Sequence, residues 1–140
     1  MKMIADTNVL IRAVLDDDVV QSPASRLALS SADQVIISQH AFCELVWLLR
    51  RRYNMPNEEV VKVIRVYLEA DNVITDTPAV QAGLTAMDAG ADFADGVIAY
   101  EGQWLGGEEF VSFDRKAVEV LTSLGIKSRL LKSDFTEPGM

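Results

Sequence analysis

Short runs of apolar residues alternate along the chain with longer segments in which apolar residues recur every three or four positions. The short runs predict buried strands, and the longer segments predict helices that bury one face. Strands and helices in this alternation form parallel sheets, because a right-handed crossover returns each strand to the same sheet. We therefore predict an α/β fold, a three-layer sandwich with a mostly parallel central sheet of about five strands. The predicted strands are residues 1–5, 34–37, 73–75, 110–113 and 127–131, and the predicted helices are residues 9–15, 22–32, 39–53, 57–70, 77–89, 92–105 and 115–124.

Polar residues in front of the helical segments predict where the helices begin. Ser38 and Thr77 are expected to cap the helices that follow them. Asp92 is a good N-cap for the helix over residues 92–105, and Asp95, three residues later, could complete a capping box. Asp92 therefore has a structural interpretation, as a helix cap, beside any chemical one.

The length of 140 residues suits one domain, which we place at residues 1–131, followed by a loosely ordered tail at residues 132–140. The first acid, Asp6, comes too early for a signal peptide, and no apolar run reaches the roughly 18 residues of a membrane span. These features predict a cytoplasmic protein without a membrane segment. Cys43, the one cysteine, is expected to be buried and inert, and His40 is expected to be an ordinary residue.

Several acids lie in apolar stretches of sequence that contain almost no lysine or arginine. Asp6 and Asp114 directly follow predicted strands, whereas Glu44 and Asp95 lie near the beginnings of predicted helices. In parallel sheets the functional crevice lies beyond the carboxyl ends of the strands, so we expect all four acids there. Carboxylates are rarely buried without a cation, and Glu44 has no salt-bridge partner at helical spacing in this interpretation. A half-exposed surface role for Glu44 is the structural alternative.

A crevice that gathers four acids requires a positive charge. Two negative charges about 6 Å apart repel by roughly 3 kcal/mol at an effective dielectric constant near 20. Mg²⁺ or Mn²⁺ would remove this repulsion and leave positions for water and a substrate phosphate. This chemistry predicts phosphodiester hydrolysis by in-line attack of a water molecule that the metal activates. The net charge of −8, from 21 acidic and 13 basic residues, argues against nucleic-acid binding unless bound cations offset it.

Four acidic motifs in this order resemble those of PIN-domain nucleases, and the length is similar to that of VapC-type toxins of toxin–antitoxin pairs. The motifs are Asp6-Thr7-Asn8, Glu44, the segment from Asp92 to Ala99, and Ser112-Phe113-Asp114. The resemblance covers residues 1–131 and implies a Mg²⁺- or Mn²⁺-dependent endoribonuclease that acts on RNA, often tRNA. It also implies a cognate antitoxin in the groove and a homodimer. It assigns catalysis and metal binding to Asp6, Glu44, Asp95 and Asp114, a further place near the metal to Asp92, and supporting roles to Thr7, Asn8 and Ser112.

One position departs from the family pattern. Gly96 follows Asp95 where such toxins commonly have alanine. Because glycine lowers helix stability by about 1 kcal/mol relative to alanine, we expect a looser first turn in this helix.

The basic residues that could guide RNA are Arg12, Arg50, Arg51 and Lys116, although the run of arginines at positions 50–52 also suits a helix C-terminus. Three alternative functions stay open. The first is a phosphoacceptor signalling domain, for which Asp76 would be the acceptor after the third strand. The second is a phosphomonoesterase with Asp6 as nucleophile, although Asn8 stands where a second Asp would serve as acid. The third is a fold kept only for binding a partner.

Overall fold

The computed structural model describes residues 1–132. The predicted tail therefore lies outside the described residues, except for Lys132. Strands and helices alternate as predicted, and most boundaries fall within two residues of the predicted ones. In chain order the elements are β1 (Lys2–Ile4), α1 (Thr7–Leu15), α2 (Gln21–Ser31), β2 (Gln34–Ile36), α3 (Gln39–Arg51), α4 (Asn57–Glu69), β3 (Val73–Ile74), α5 (Thr77–Asp88), α6 (Phe93–Trp104), β4 (Phe110–Ser112), α7 (Arg115–Ser123) and β5 (Ser128–Leu130).

The strands pair in parallel throughout. Hydrogen bonds join β1 to β2 and β2 to β3 in one sheet, and β4 to β5 in another. Met3 lies opposite Val35 in the first sheet, and Val111 lies opposite Arg129 in the second. The predicted α/β class with about five parallel strands is confirmed, with the strands divided into groups of three and two.

The chain forms two compact units, of which the first is Met1–Val80 and the second begins at Gln81. In the first unit, α1 packs against α2 and α3, and α3 packs against α4. Its fully buried side chains include Leu10, Ile11, Val35, Phe42, Leu45, Leu49 and Ile64. In the second unit, α7 packs against β4 and β5. The core of this unit contains Ala86, Ala91, Ala99, Val120 and Leu121, with Phe110 and Ile126 packed against them.

Side chains that cap the helices explain several boundaries. The Ser38 hydroxyl accepts a hydrogen bond from the Ala41 N–H at 3.0 Å, which confirms the predicted cap of α3. The predicted cap of α5 was wrong by one residue. Thr77 is already helical, and the Asp76 carboxylate accepts the hydrogen bond from the Ala79 N–H at 3.2 Å. Both residues are good cap formers, so the local sequence does not distinguish them.

Gly96 allows α6 to approach α5 closely. A Cβ atom at this position would lie 2.3 Å from the carbonyl oxygen of Ala82 and 2.7 Å from the Cβ atom of Ala86. Gly96 is also buried. The missing side chain at Gly96 thus permits tight packing of α6 on α5, a role that the sequence pattern did not indicate, and the expected loosening of the first turn stays a prediction.

We predict opposite effects for two glycine-to-alanine substitutions in α6. Gly96→Ala gains about 1 kcal/mol of helix propensity but forces the helices apart at a cost of about 1–3 kcal/mol, so it should destabilise the protein. Gly102→Ala should stabilise it by about 0.5–1 kcal/mol, because a Cβ at Gly102 would meet no atom of the described residues within 4 Å beyond its own helix backbone and chain neighbours. Urea unfolding of both variants measures the difference. Equal midpoints for the two variants would contradict the packing argument.

Candidate metal centre

Asp6 presents a carboxylate that is not used to hold its own helix. It is the N-cap residue of α1, with an extended backbone, and its side chain makes no capping hydrogen bond. The preceding residue, Ala5, donates its N–H to the carbonyl of Ile36 at 3.0 Å, which extends the pairing of β1 with β2. Asp6 thus follows the carboxyl end of β1, as predicted, and its exposed carboxylate is open to an added ligand.

Glu44, in α3, is held beside the beginning of α1. The hydroxyl of Thr7, which is buried, donates a hydrogen bond to Glu44 Oε1 at 3.0 Å. His40 Nε2 lies 3.4 Å from the same oxygen, one helical turn away. His40, at the four-residue helical spacing, therefore contacts Glu44 and forms an ion pair with it when the imidazole is protonated, which the expectation that Glu44 has no salt-bridge partner did not include.

Three acids of the second unit converge. Asp92, Asp95 and Asp114 each offer a carboxylate oxygen, and these oxygens all lie within 4.8 Å of one another. The backbone sets this arrangement: Asp92 is the N-cap residue of α6, Asp95 lies in its first turn, and Asp114 is the N-cap residue of α7 immediately after β4. The Asp95 N–H also donates to the Asp92 carbonyl at 3.0 Å, which closes the turn between the two acids.

The three acids differ in how much of the carboxylate is already engaged. Asp92 makes no side-chain capping hydrogen bond, so its interpretation as a helix cap does not account for its carboxylate. Asp114 does act as a cap, since its Oδ1 accepts the Ala117 N–H at 3.2 Å. The Ser112 hydroxyl accepts the Asp114 N–H at 2.9 Å and so fixes the backbone there. Asp114 still has a second oxygen for a ligand.

The acids are more exposed than expected from their apolar sequence neighbours. Asp6, Glu44, Asp92 and Asp114 are exposed, and Asp95 is half-buried. The neighbours, such as Phe93 and Val97, turn into the core on another face of the helix and leave the carboxylates in solvent. Burial raises the pKa of Asp95, and the negative charges of Asp92 and Asp114 raise it further, while a backbone hydrogen bond at Asp92 opposes them. Burial therefore indicates a need for a cation only at Asp95. The mutual proximity of the three acids is the stronger indication of a cation site.

The three carboxylates fit a hard divalent cation. Octahedral coordination at 2.0–2.1 Å places ligand oxygens about 3.0 Å apart at neighbouring corners and about 4.2 Å apart at opposite corners. Oxygens within 4.8 Å of one another reach these separations with small side-chain movements. An all-oxygen donor set also favours Mg²⁺ or Mn²⁺ over zinc or copper.

The basic residues expected to guide RNA are not equally available. Arg12 Nη1 pairs with Asp17 Oδ2 at 2.7 Å, and this hydrogen bond raises the pKa of Arg12. Arg50 Nη1 donates to the carbonyl of Met55 at 3.0 Å, at the C-terminus of α3. Arg51 and Lys116 are exposed. Two of the four residues are therefore already engaged within the protein.

Comparison with known proteins identifies the family. A sequence model of the PIN domain matches residues 3–121. The chain belongs to the PIN domain family. The match confirms the predicted PIN-like fold and spans Asp6, Glu44, Asp92, Asp95 and Asp114.

Among solved structures, this PIN-domain chain is similar to Mycobacterium tuberculosis VapC20, a toxin that cleaves the sarcin–ricin loop. The TM-score is 0.42 and the sequence identity 17%, over 77% of this chain and 86% of that one. No curated protein sequence matches the chain. In residues 1–132 no helix has the length and apolar character that a membrane span requires.

We predict that Asp95→Asn stabilises the metal-free protein near neutral pH. A raised pKa in the folded state means that Asp95 favours folding while it is protonated, and this contribution is lost as the pH rises through that pKa. Asparagine removes the charge that is unfavourable above the pKa. We expect a rise in Tm of about 1–3 °C at about pH 7.5 in EDTA, which shrinks towards about pH 4.

The matched control is Glu101→Gln, which removes one exposed charge from the same helix. Scanning calorimetry of both variants at the two pH values separates the local effect from the general effect of net charge. A gain for Glu101→Gln as large as that for Asp95→Asn would contradict the prediction.

Proposed function

We propose that this PIN-domain protein is a metal-dependent endoribonuclease toxin of the VapC type, which hydrolyses RNA phosphodiester bonds and is held inactive by a cognate antitoxin. The observation that carries the proposal is the convergence of Asp92, Asp95 and Asp114 in a chain of the PIN family. Three carboxylates in such proximity repel one another, and a divalent cation relieves that repulsion.

The proposal assigns catalysis and metal binding to Asp6, Glu44, Asp95 and Asp114, with Asp92 as a further ligand. Mg²⁺ or Mn²⁺, when bound, supplies the Lewis acidity that lowers the pKa of an attacking water molecule and stabilises the leaving oxygen. The protein contributes the placement of the carboxylates. Helix beginnings fix the backbone at four of the five acids, and the Thr7 hydroxyl orients Glu44.

Three polar residues have supporting roles in this proposal. Thr7 holds the Glu44 carboxylate through its 3.0 Å hydrogen bond, and Ser112 holds the backbone of Asp114. Asn8 is exposed in the first turn of α1 and would orient water or substrate next to Asp6. These residues would affect the rate through the carboxylates that they position.

The net charge of −8 is compatible with an RNA substrate if bound cations supply the local positive charge that a phosphate meets. We extend the proposal to a homodimer as the active unit. The cytoplasmic location expected from the sequence stays a prediction.

The phosphoacceptor alternative loses support from the surroundings of Asp76. One oxygen of this carboxylate accepts the Ala79 N–H at 3.2 Å, and the other accepts the Gln39 side-chain amide at 2.9 Å. A phosphoacceptor needs an oxygen that is free to attack phosphorus, whereas both oxygens of Asp76 hold local structure. Asp76 is therefore a structural residue at the beginning of α5. The family match also favours a nuclease over a phosphomonoesterase.

We predict that the purified protein cleaves RNA with Mg²⁺ or Mn²⁺ and that excess EDTA abolishes the activity. Asp6→Asn or Asp95→Asn should lower the rate by more than about 100-fold, because each substitution removes a charged metal ligand. The measurement is cleavage of a pool of single-stranded RNA and of tRNA, with circular dichroism to verify folding. Cleavage in excess EDTA, or by both variants at the wild-type rate, would overturn the proposal.

The participation of Glu44 can be tested without activity. At a metal concentration about 100 times Kd, binding to the folded state adds about 2.7 kcal/mol of stability. The increase in Tm on adding Mn²⁺ should therefore be larger for wild type than for Glu44→Gln. Glu58→Gln, at an exposed position in the first turn of α4, is the control and should keep the full increase. An equal increase in all three proteins would remove Glu44 from the metal site.

A further inference from the structure

The side chain of Lys116 lies over the turn between α5 and α6. Gly90, in this turn, has a φ of +106°, a conformation that glycine adopts without strain. A Cβ atom at Gly90 would lie 3.0 Å from Cε and 3.3 Å from Nζ of Lys116. The missing side chain at Gly90 therefore makes room for the lysine ammonium as well as for the turn.

This position places the ammonium over the turn that leads to Asp92. Gly90 precedes Asp92 by two residues, and Lys116 follows Asp114 by two residues. Two residues span at most about 7 Å, so the ammonium lies close to the backbone that carries these acids. Even so, Lys116 forms no ion pair within residues 1–132. An exposed lysine two residues from Asp114, whose ammonium lies over the turn that leads to Asp92 and pairs with no acid of the described residues, is a cation open to an anionic ligand.

Lys116 also stands apart from the other bases considered for RNA. Arg12, Arg50 and Arg51 all belong to the first unit, and two of them, Arg12 and Arg50, are also engaged by Asp17 and by a backbone carbonyl. Lys116 belongs to the second unit, with the convergent acids. In a chain of net charge −8, an unpaired cation in the same unit as the convergent acids gives a phosphate a favourable contact.

We propose that Lys116 is a positioning residue that binds an RNA phosphate next to the scissile one. The inference rests on the proposed nuclease function, in which the metal and the carboxylates take the scissile phosphate. An ammonium at the side of that centre, held over Gly90, is placed for the neighbouring phosphate. Such a contact is the same in the ground state and the transition state, so it sets KM and leaves kcat unchanged.

The first test is the kinetics of cleavage of a single-stranded RNA oligonucleotide that carries a cut site mapped from a random pool. Lys116→Met should raise KM on the order of 5- to 20-fold, with kcat within about twofold of wild type. The slope of log(kcat/KM) against log[salt] should become shallower by about 0.7, the amount expected for one phosphate contact with a single strand. Lys116→Arg keeps the charge and should recover most of the loss.

The matched control is Lys127→Met, which removes the same charge from the same unit. Lys127 is exposed, and its carbonyl accepts the Phe110 N–H at 2.9 Å, at the amino ends of β4 and β5. Asp114 follows the carboxyl end of β4, at the opposite edge of that sheet. Lys127→Met should therefore leave KM and the salt slope as in wild type.

A second measurement identifies the phosphate. Oligonucleotides with a single neutral methylphosphonate at each position around the cut site remove one charge at a time. One methylphosphonate, next to the scissile phosphate, should raise KM for wild type but should not raise KM further for Lys116→Met. The reason is that the methylphosphonate and the protein substitution remove the same contact.

Several outcomes would overturn the inference. The first two are a wild-type KM and salt slope for Lys116→Met, and a loss of activity in Lys116→Met that is confined to kcat. The other two are an increase in KM for Lys127→Met equal to that for Lys116→Met, and effects of the methylphosphonates on KM that add to the effect of Lys116→Met at every position. In each of these the wild type still cleaves RNA with metal, so the proposed function stands. Absence of metal-dependent cleavage by wild type would instead overturn the proposed function, and this assignment with it.

Discussion

Repulsion among the carboxylates of Asp92, Asp95 and Asp114 is the constraint on which the proposed activity depends. The protein holds them together through its backbone, because α6 and α7 begin at these residues and helix N-termini favour negative charge. Burial, and then the negative charges of Asp92 and Asp114, still raise the pKa of Asp95. Three carboxylates within 4.8 Å of one another therefore favour a nearby positive charge.

The same constraint explains how the supporting residues are used. Asp114 caps α7 with one oxygen and leaves the other for a ligand, so the residue that anchors the helix also contributes to the centre. In the first unit, the Thr7 hydroxyl and His40 both approach one oxygen of Glu44. Each of these acids is thus oriented through one oxygen, which limits its freedom and lowers the entropic cost of ordering it around an ion.

The periodicity of the sequence was sufficient to predict the strands, the helices and their parallel pairing, because apolar spacing directly reflects which face is buried. The proximity of Asp92 to Asp95 also follows from their spacing. Two features depend on groups that meet only in the fold, namely the close approach at Gly96 and the contact of His40 with Glu44. The capping of α5 by Asp76 depends on a choice between two adjacent residues that are both good cap formers. The exposure of the acids was missed because apolar sequence neighbours occupy other faces of the same helix.

Gly96 directly follows Asp95, one of the three convergent acids, and packs against Ala82 and Ala86 in the second unit. The first turn of α6 carries Asp95 and rests directly on α5, so a bulkier residue at any of these three positions would shift a carboxylate relative to Asp114. Such a shift would alter the separation of the donor oxygens, and ions of different radius respond differently to that separation. Small residues between two helices of the second unit thus help to set the spacing of its donor oxygens.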